Sequence, residues 1–433
     1  MRVLFTTWAV PTHLYNMAPI AWALRSAGHE VYVAGQPDVV PVIQQAGLPA
    51  VAIGEPLDFA ARHQDVAFED TVYGAGYPMA EYRPEVLTWD FVHNVFRVYT
   101  TAPLAFDTIS GDDAVRDLMT FAEGWRPDLV VWDSLCYSAP VVASVLGVPH
   151  VRLLSGSDVL GRMRAVFHEL WQQQPAGTRT DPMAEWLTRK AAPWGGGFTE
   201  DMVVGQATID PLPASIRLPV DLPYLSMRQV PYHGATSIPG WLLEPPAKPR
   251  VCLTLGLTGR IPVSGDASVA DLARPAVTVP ELLGSLAELD VEVVATLNPD
   301  QLASAPGLPD NVRVFDFVPL NDLLPTCAAV IHHAGTGTLS TALLHGVPQL
   351  IVPGTLWDEI PKTDAYVRTG AGLSITPEQL SPGLVRAQVE RLLSERSFSA
   401  RAGALREEIR DTPGPYELVG ELTALAGRAA AHV

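Results

Sequence analysis

The chain has 433 residues, a length that predicts two domains rather than one core. With 48% hydrophobic and 18% charged residues, it has the composition of a folded protein and not of a disordered one. The formal net charge of −18 argues against general binding to nucleic acids or anionic membranes, because both attract basic surfaces. A helix N-terminus can still bind a phosphate locally.

The three cysteines are far apart and lack the spacing of metal ligands, so we expect neither a disulfide framework nor a metal site. The first residues carry one basic side chain and a short apolar run, which is too little for a signal peptide. No apolar stretch of the sequence is long enough to cross a bilayer. The sequence therefore predicts a cytoplasmic protein without a membrane span.

The first half begins with a strand–helix–strand pattern. Apolar residues 3–5 predict a strand, a loop carrying His13 follows, and a helix with Pro19 in its first turn ends before Gly28. Residues 31–34 predict the next strand, so the unit has the size of a βαβ motif. Short apolar runs of this kind suit a parallel sheet that is covered on both faces. Further strands are predicted at residues 51–53, 129–132 and 151–153.

Two less regular stretches, residues 71–120 and 161–198, are rich in aromatic residues. Their rings include Tyr99, Phe106 and Trp186. The sequence alone allows two interpretations of these rings. They form ordinary core packing, which is the interpretation we favour, or they line an apolar acceptor pocket.

A stretch rich in proline and glycine, residues 230–250, predicts a linker, after which the strand–helix rhythm restarts. We predict an N-terminal domain over residues 1–229, a C-terminal domain over 251–410, and a last helix within 411–433 that crosses back to the N-terminal domain. Residues 260–280 predict a mobile surface loop. Strands are predicted at residues 251–255, 291–296, 312–315, 329–331 and 350–352. Because open parallel sheets bind ligands beyond the carboxyl ends of their strands, two such sheets predict a cleft lined by the residues that follow each strand.

The strongest candidate site lies where a predicted strand passes through two histidines and a glycine-rich turn into a helix. Its sequence is His332-His333-Ala334-Gly335-Thr336-Gly337-Thr338. Glycine lets backbone N–H groups come close to a ligand, and the helix N-terminus adds unpaired donors and the positive end of its dipole. The threonine hydroxyls and the His333 ring add donors, so the turn favours a diphosphate held without metal or lysine. A tight strand-to-helix turn without a ligand explains the spacing equally well.

This segment resembles the nucleotide-sugar signature of the GT-B glycosyltransferases, whose usual form is His-His-Gly-Gly-x-Gly-Thr/Ser, then Gly-Val-Pro-Gln and an Asp-containing sugar loop. The chain is most similar to bacterial enzymes that decorate macrolide and other polyketide antibiotics, such as desosaminyl- and forosaminyltransferases. Ala334 departs from the usual glycine and would be strained if a positive φ were needed there. The likeness covers nearly the whole chain, and its other motifs are Thr12-His13-Leu14, Pro19-Ile20-Ala21-Trp22-Ala23, Gly346-Val347-Pro348-Gln349, Trp357-Asp358-Glu359 and residues 126–133, 205–211, 227–232 and 309–313.

The resemblance implies an α/β fold of the GT-B type, with two Rossmann-like parallel-sheet domains facing across a cleft. It implies that the N-terminal domain, residues 1–229, binds the acceptor and that the C-terminal domain, residues 251–410, binds the nucleotide sugar. It also implies that His13 is the general base that removes the proton of the acceptor hydroxyl, a role that suits a group titrating near neutral pH. Asp133 lies at the end of a predicted strand and has two interpretations. It orients that base, or it is an ordinary helix cap, which is the interpretation we favour. The residues implied for the donor diphosphate and nucleotide are His333, Gly335, Thr336, Gly337, Thr338, Gly256, Thr258, Val318 and Pro319, and those for the sugar are Trp357, Asp358 and Glu359.

The activity implied is an inverting hexosyl transfer. A deoxysugar, in particular an aminodeoxysugar, passes from a TDP-sugar to a hydroxyl of a polyketide aglycone, in particular a macrolide, in antibiotic biosynthesis. Glu359 replaces a glutamine common in relatives that use ordinary sugars, and its carboxylate would pair with a sugar amino group. We expect no cofactor and no metal, because the sequence has neither an Asp-x-Asp motif nor a ligand cluster.

Three alternatives stay open at this point. They are a C-glycosyltransferase acting on an aromatic polyketide, another GT-B enzyme such as a nucleotide-sugar epimerase, and a non-catalytic nucleotide-sugar-binding helper protein. Some relatives that use aminosugars need an auxiliary protein resembling an inactivated cytochrome P450, so the resemblance suggests such a partner here. It also leaves a homodimer open.

Overall fold

The structure is a computed structural model that describes residues 1–58, 62, 66–72, 74–256, 262–264, 267–268, 278–298, 307–355 and 357–430. The predicted donor residue Thr258 and most of the predicted loop 260–280 lie outside these residues. Two large parallel sheets, each packed between helices, form the described part of the chain. The predicted α/β class with two parallel sheets is confirmed.

The first sheet has seven parallel strands in the order β3-β2-β1-β4-β5-β6-β7. Side chains alternate across it, so that Leu4 and Trp132 join one core while Val3 and Phe5 join the other. Because both faces are covered, the strands are nearly continuous apolar runs. The strands are β1 (Arg2–Thr6), β2 (Glu30–Gly35), β3 (Ala50–Ala52), β4 (Leu129–Asp133), β5 (His150–Leu153), β6 (Ala207–Asp210) and β7 (Tyr224–Ser226).

Nine α-helices lie among these strands in the part of the chain that the structure describes. They are α1 (Pro11–Ser26), α2 (Val40–Gln45), α3 (Trp89–Thr101), α4 (Phe106–Ile109), α5 (Asp112–Trp125), α6 (Ser138–Leu146), α7 (Val159–Gln172), α8 (Pro182–Ala191) and α9 (Asp201–Val204). The structure corrects two predictions for α1. Pro19 lies inside this helix, and His13 lies in its first turn rather than in a loop, because the helix already begins at Pro11. Proline suits that first position, where no intrahelical N–H bond is lost.

The second sheet has six parallel strands in the order β12-β11-β8-β13-β14-β15. Its strands are β8 (Arg250–Thr254), β11 (Glu292–Thr296), β12 (Val312–Phe315), β13 (Cys327–His332), β14 (Gln349–Ile351) and β15 (Gly372–Ser374), and β9 (Pro262–Ser264) pairs separately with β10 (Ala267–Ser268). Its helices are α10 (Val279–Ser285), α11 (Leu320–Leu323), α12 (Thr336–His345), α13 (Glu359–Arg368), α14 (Pro382–Ser394), α15 (Arg396–Asp411) and α16 (Leu418–Ala430).

Segments from each half pack on the other half. Leu418 and Leu422 of α16 are buried in the core beside β1. In the opposite direction, Leu212 and Ile216, which lie between β6 and β7, join the core formed by α12, α13 and α15. Among the described residues, no helix is both long enough and apolar enough to cross a membrane.

Candidate active site

His13 and Asp133 meet at the carboxyl edge of the first sheet. They are brought together because β1 and β4 are neighbours in the sheet, with Thr6 opposite Trp132 near their ends. His13 Nδ1 lies 2.6 Å from Asp133 Oδ2, and the side chains are 14% and 3% exposed. A carboxylate only accepts hydrogen bonds, so the neutral imidazole carries its proton on Nδ1 and its lone pair on Nε2.

The second oxygen of Asp133 fixes this carboxylate to the backbone. Asp133 Oδ1 accepts the N–H of Leu135 at 3.0 Å. Helix α6 begins only at Ser138 and has no side-chain cap. The favoured interpretation of Asp133 as a helix cap is therefore wrong, and the alternative, in which Asp133 orients His13, agrees with the geometry. The edge of the Trp8 ring, with its centroid 4.8 Å from that of His13, packs against the imidazole.

The histidine-rich turn connects β13 to α12, and its two histidines have different surroundings. His332 is buried, and its Nδ1 accepts the N–H of Ala334 at 3.2 Å while its Nε2 donates to Gln349 Oε1 at 2.7 Å. Burial, with a smaller effect of the neighbouring His333, lowers the pKa of His332 to about 3. His332 is therefore a neutral structural residue, and Gln349 of the later motif serves to hold it.

His333 instead stands between two glycines. A Cβ at Gly256 would lie 2.5 Å from His333 Cε1, and one at Gly335 would lie 3.0 Å from its Nε2, so both positions exclude larger residues. Burial, and then the charge of Lys362, lower the pKa of His333 to about 4. Its Nδ1 is buried and has no hydrogen-bond partner among the residues that the structure describes. The ring is thus a neutral imidazole with an unused polar atom.

Ala334 has a φ of +72°, in the left-handed region, so the condition under which alanine would be strained at this position is met. The next residue, Gly335, is the N-cap of α12 and supplies no side-chain cap. Among the described residues, the N–H groups of the first turn, which includes Gly337 and Thr338, therefore have no side-chain acceptor. This helix start offers several donors and its positive dipole end to an anion.

A lysine that the sequence interpretation did not include contacts this turn. Lys362 of α13 is 1% exposed, and its Nζ lies 2.8 Å from Thr336 Oγ1. The same ammonium lies 2.8 and 3.0 Å from the two carboxylate oxygens of Asp358. The sequence did contain a signal, because Asp358 and Lys362 have the i,i+4 spacing of a helical ion pair. Nothing local, however, linked that pair to Thr336.

The sugar-loop residues reach the N-terminal half of the chain. Asp358 Oδ2 accepts the N–H of Ser157 at 2.6 Å, and a Cβ at Gly156 would lie 2.5 Å from the same oxygen. The Trp357 ring lies 5.9 Å from that of Tyr99 between centroids. The sequence did not single out residues 156 and 157, which are separated from Asp358 by about two hundred positions.

A further contact joins the same two parts of the chain. The Tyr82 hydroxyl donates to Asp364 Oδ2 of α13 at 2.7 Å. Arg162 donates to the carbonyl oxygens of Glu81 and Tyr82, which ties the Tyr82 segment to α7. The cleft between the sheets is therefore bridged on the side where α13 begins.

Glu359 is the first residue of α13, and its Oε2 accepts the N–H of Trp357 at 2.8 Å. Burial, reinforced by the nearby Asp358 carboxylate, raises the pKa of Glu359. A cation beside this carboxyl would stabilise its charged form. The charge of Lys362 already offsets part of this rise.

Two other predicted donor residues lie beyond the end of β12. Val318 is 2% exposed and packs with Cys252 and Leu323, so its side chain is part of the core and only its backbone is available to a nucleotide. Pro319 is also buried and precedes α11. For the aromatic residues Tyr99, Phe106 and Trp186, core packing is confirmed, because all three are buried in one cluster.

Two α/β sheets, with a histidine–carboxylate pair at the edge of one and a glycine-rich histidine turn at the edge of the other, define a GT-B glycosyltransferase. Residues 22–256 match the family model described as erythromycin biosynthesis protein CIII-like, N-terminal domain, and residues 280–425 match the C-terminal domain of the same family. The chain belongs to this family of antibiotic deoxysugar glycosyltransferases.

Individual relatives are similar along their whole length. The chain is 47% identical to the aclacinomycin-T 2-deoxy-L-fucose transferase of Streptomyces galilaeus over 97% of this chain and 94% of that one. It is 42% identical to the 10-deoxymethynolide desosaminyltransferase of Streptomyces venezuelae over 99% and 98% of the two chains. The crystal structure of the glycosyltransferase VinC in complex with DTDP superimposes with a TM-score of 0.88 at 42% identity, covering 99% of this chain and all of that one.

Proposed function

We propose that the protein is an inverting O-glycosyltransferase that transfers a deoxysugar from a TDP-sugar to a hydroxyl of a polyketide aglycone. The observation that carries the proposal is the 2.6 Å contact between His13 Nδ1 and Asp133 Oδ2, which leaves the Nε2 lone pair as a base. The complex of VinC with DTDP supports the choice of nucleotide.

In the proposed reaction, His13 Nε2 takes the proton of the acceptor hydroxyl while that oxygen attacks the anomeric carbon of the sugar. The bond from this carbon to the diphosphate oxygen breaks in the same step, so the configuration inverts and TDP leaves with the bonding electron pair. His333 and the first turn of α12, from Gly335 to Thr338, stabilise the charge that grows on TDP. Gly256, Val318 and Pro319 line the nucleotide side.

The division of labour between the two halves is part of the proposal. Residues 1–229 hold the acceptor, and residues 251–410 hold the nucleotide sugar. The contacts of Asp358 with Ser157 and of Tyr82 with Asp364 close the cleft and exclude water, which would otherwise hydrolyse the donor. The proposed chemistry uses no metal. Among the described residues, no group of three or more histidine, cysteine or acidic side chains is arranged to hold one.

For the sugar, we propose an aminodeoxysugar whose cationic amino group pairs with Glu359. The raised pKa of this carboxyl supports the pairing, since a neighbouring cation relieves the cost of its charged form. We expect Glu359→Gln to lower kcat/KM for a TDP-aminodeoxysugar about tenfold while a TDP-deoxysugar without an amino group is unaffected or improved. Equal turnover of the amino donor by both proteins would contradict this choice of sugar.

A macrolide is the proposed acceptor, in line with the relative named 10-deoxymethynolide desosaminyltransferase. A second candidate, transfer of a sugar without an amino group to another polyketide, is favoured by the relative named aclacinomycin-T 2-deoxy-L-fucose transferase. A panel of TDP-deoxysugars crossed with macrolide and aromatic aglycones separates the two.

The test of the proposed function uses this panel with the wild type, His13→Ala and His29→Ala. His29 is the matched control, because its ring contacts the chain terminus at Met1 and not the cleft. We expect product from the wild type and His29→Ala, and nearly none from His13→Ala although it still binds TDP. A wild type that binds TDP without turnover would be assayed again with a candidate P450-like auxiliary protein. No TDP binding at all would overturn the donor site.

A further inference from the structure

Lys362 supplies a buried positive charge at the donor turn that the reaction described above does not use. Its three contacts, with Thr336 Oγ1 and both oxygens of Asp358, account for the three N–H donors of an ammonium. Lysine is seldom fully buried unless it is paired, and here the side chain is 1% exposed.

The contact with Lys362 decides how Thr336 can act. The Thr336 oxygen accepts a hydrogen bond from the ammonium, so its own O–H donates in another direction. Thr336 is the first residue of α12, where the backbone N–H groups also lack intrahelical partners. The hydroxyl and these N–H groups therefore form one set of donors for the same anion.

The other polar groups of the turn do not supply positive charge. Burial lowers the pKa of His332 to about 3 and that of His333 to about 4, so both rings are neutral at physiological pH. The chain as a whole carries a formal charge of −18, which opposes an anionic ligand unless positive groups lie close to it. The backbone of Gly156 and Ser157 covers the ion pair, and low exposure to water strengthens its local field.

From this geometry, and resting on the TDP-sugar donor proposed above, we infer that Lys362 is a positioning residue for the leaving diphosphate. It fixes the Thr336 hydroxyl as a donor toward the phosphate oxygens and places a positive charge directly behind that hydroxyl. Asp358 balances this charge when no donor is bound and connects it to the N-terminal half through Ser157.

The test removes the charge without leaving a buried carboxylate alone. Lys362→Met by itself would strand Asp358, whereas the pair Asp358→Asn/Lys362→Met replaces the ion pair by neutral groups of similar size, an exchange that buried ion pairs often tolerate. TDP lacks the deoxysugar that is transferred, so contacts of Asp358 with that sugar do not enter a TDP titration. We expect calorimetry to show TDP bound about ten- to hundredfold more weakly by the pair variant, with thymidine bound as by the wild type.

A second buried lysine provides the matched control. Lys190 is 7% exposed and pairs with the exposed carboxylates of Asp107 and Asp112 in the N-terminal half. Lys190→Met therefore removes the charge of a buried lysine away from the donor turn, and the two carboxylates it leaves are in contact with water. We expect this control to bind TDP with unchanged affinity. Thr336→Val should weaken TDP binding in the wild type and have little further effect in the Asp358→Asn/Lys362→Met background, because the lysine acts through this hydroxyl.

Two outcomes would overturn the role of Lys362. The first is a TDP affinity of the Asp358→Asn/Lys362→Met variant within about twofold of that of the wild type. The second is that Thr336→Val weakens TDP binding by the same factor in the Asp358→Asn/Lys362→Met background as in the wild type. A wild type that does not bind TDP would overturn the proposed function itself, so the two failures are distinguishable.

Discussion

Replacing Asp133 by asparagine changes one atom type at the candidate base and has a consequence that the geometry specifies. Asp133 accepts two hydrogen bonds, from His13 Nδ1 at 2.6 Å and from the Leu135 N–H at 3.0 Å. Asparagine has only one acceptor oxygen. If that oxygen stays with Leu135, the amide N–H groups face His13, and the imidazole moves its proton to Nε2, which removes the base.

The magnitude follows from the charge that develops during proton transfer. An imidazolium and a carboxylate whose charge centres are about 4 Å apart attract each other by about 4 kcal/mol at an effective dielectric constant of about 20. Because each ~1.4 kcal/mol corresponds to a tenfold change in rate, Asp133→Asn should lower kcat about a thousandfold. Binding of TDP should not change, since Asp133 lies at the edge of the first sheet and the donor turn belongs to the second.

The assay compares kcat, KM and TDP affinity for the wild type, Asp133→Asn, His13→Ala and the double variant. Asp128→Asn is the matched control, because this residue precedes the same strand at its opposite end. Among the described residues, its carboxylate accepts a hydrogen bond from the backbone N–H of Arg2. Since Asp133 acts through His13, its substitution should cost nothing more once His13 is alanine. The reasoning is refuted if Asp133→Asn keeps more than about a tenth of kcat or if the two effects multiply.

Substitutions at three further positions, each compared with a control, test the donor turn. Gly256→Ala should weaken TDP binding at least about tenfold, because its Cβ would meet His333 at 2.5 Å. Gly147→Ala is the control, since Gly147 is also at positive φ but has open space around it, and should leave TDP affinity unchanged. Equal TDP affinities of the two variants would contradict the packing argument. Ala334→Val places a β-branched residue at a φ of +72° and should lower Tm by several degrees. The free energy of unfolding of Ala334→Gly should stay within about 1 kcal/mol of that of the wild type. An unchanged Tm in the valine variant would be inconsistent with backbone strain at this position. His332 has a pKa that folding lowers from 6.5 to about 3, so the unfolded chain takes up more protons as the pH falls, and stability is lost by up to about 1.4 kcal/mol per pH unit below pH 6.5. Chemical denaturation between pH 4 and 7 gives the free energy of unfolding as a function of pH. The slope of this dependence should be shallower in His332→Gln than in the wild type by up to that amount, and equal slopes in the two proteins would contradict a buried neutral ring.

Local sequence determined much of the fold and one part of the site. Short apolar runs predicted β1, β2, β4 and β5 because a strand covered on both faces needs apolar side chains at successive positions. The turn before α12 was also predictable, since its glycines and its strand-to-helix passage are contiguous in the chain. The departure at Ala334 pointed correctly to a backbone position that favours glycine.

What the sequence did not determine depends on residues that are distant along the chain. His13 and Asp133 meet because β1 and β4 are neighbours in the sheet, an order set by how the helices cover both faces and not by any local pattern. The same reason applies to Lys362 and Thr336 and to the carboxylate of Asp358, which reaches the backbone of the opposite half. Composition and periodicity specify which faces have to be buried, but only tertiary packing decides which polar groups are then enclosed together, and at this donor turn it enclosed a lysine.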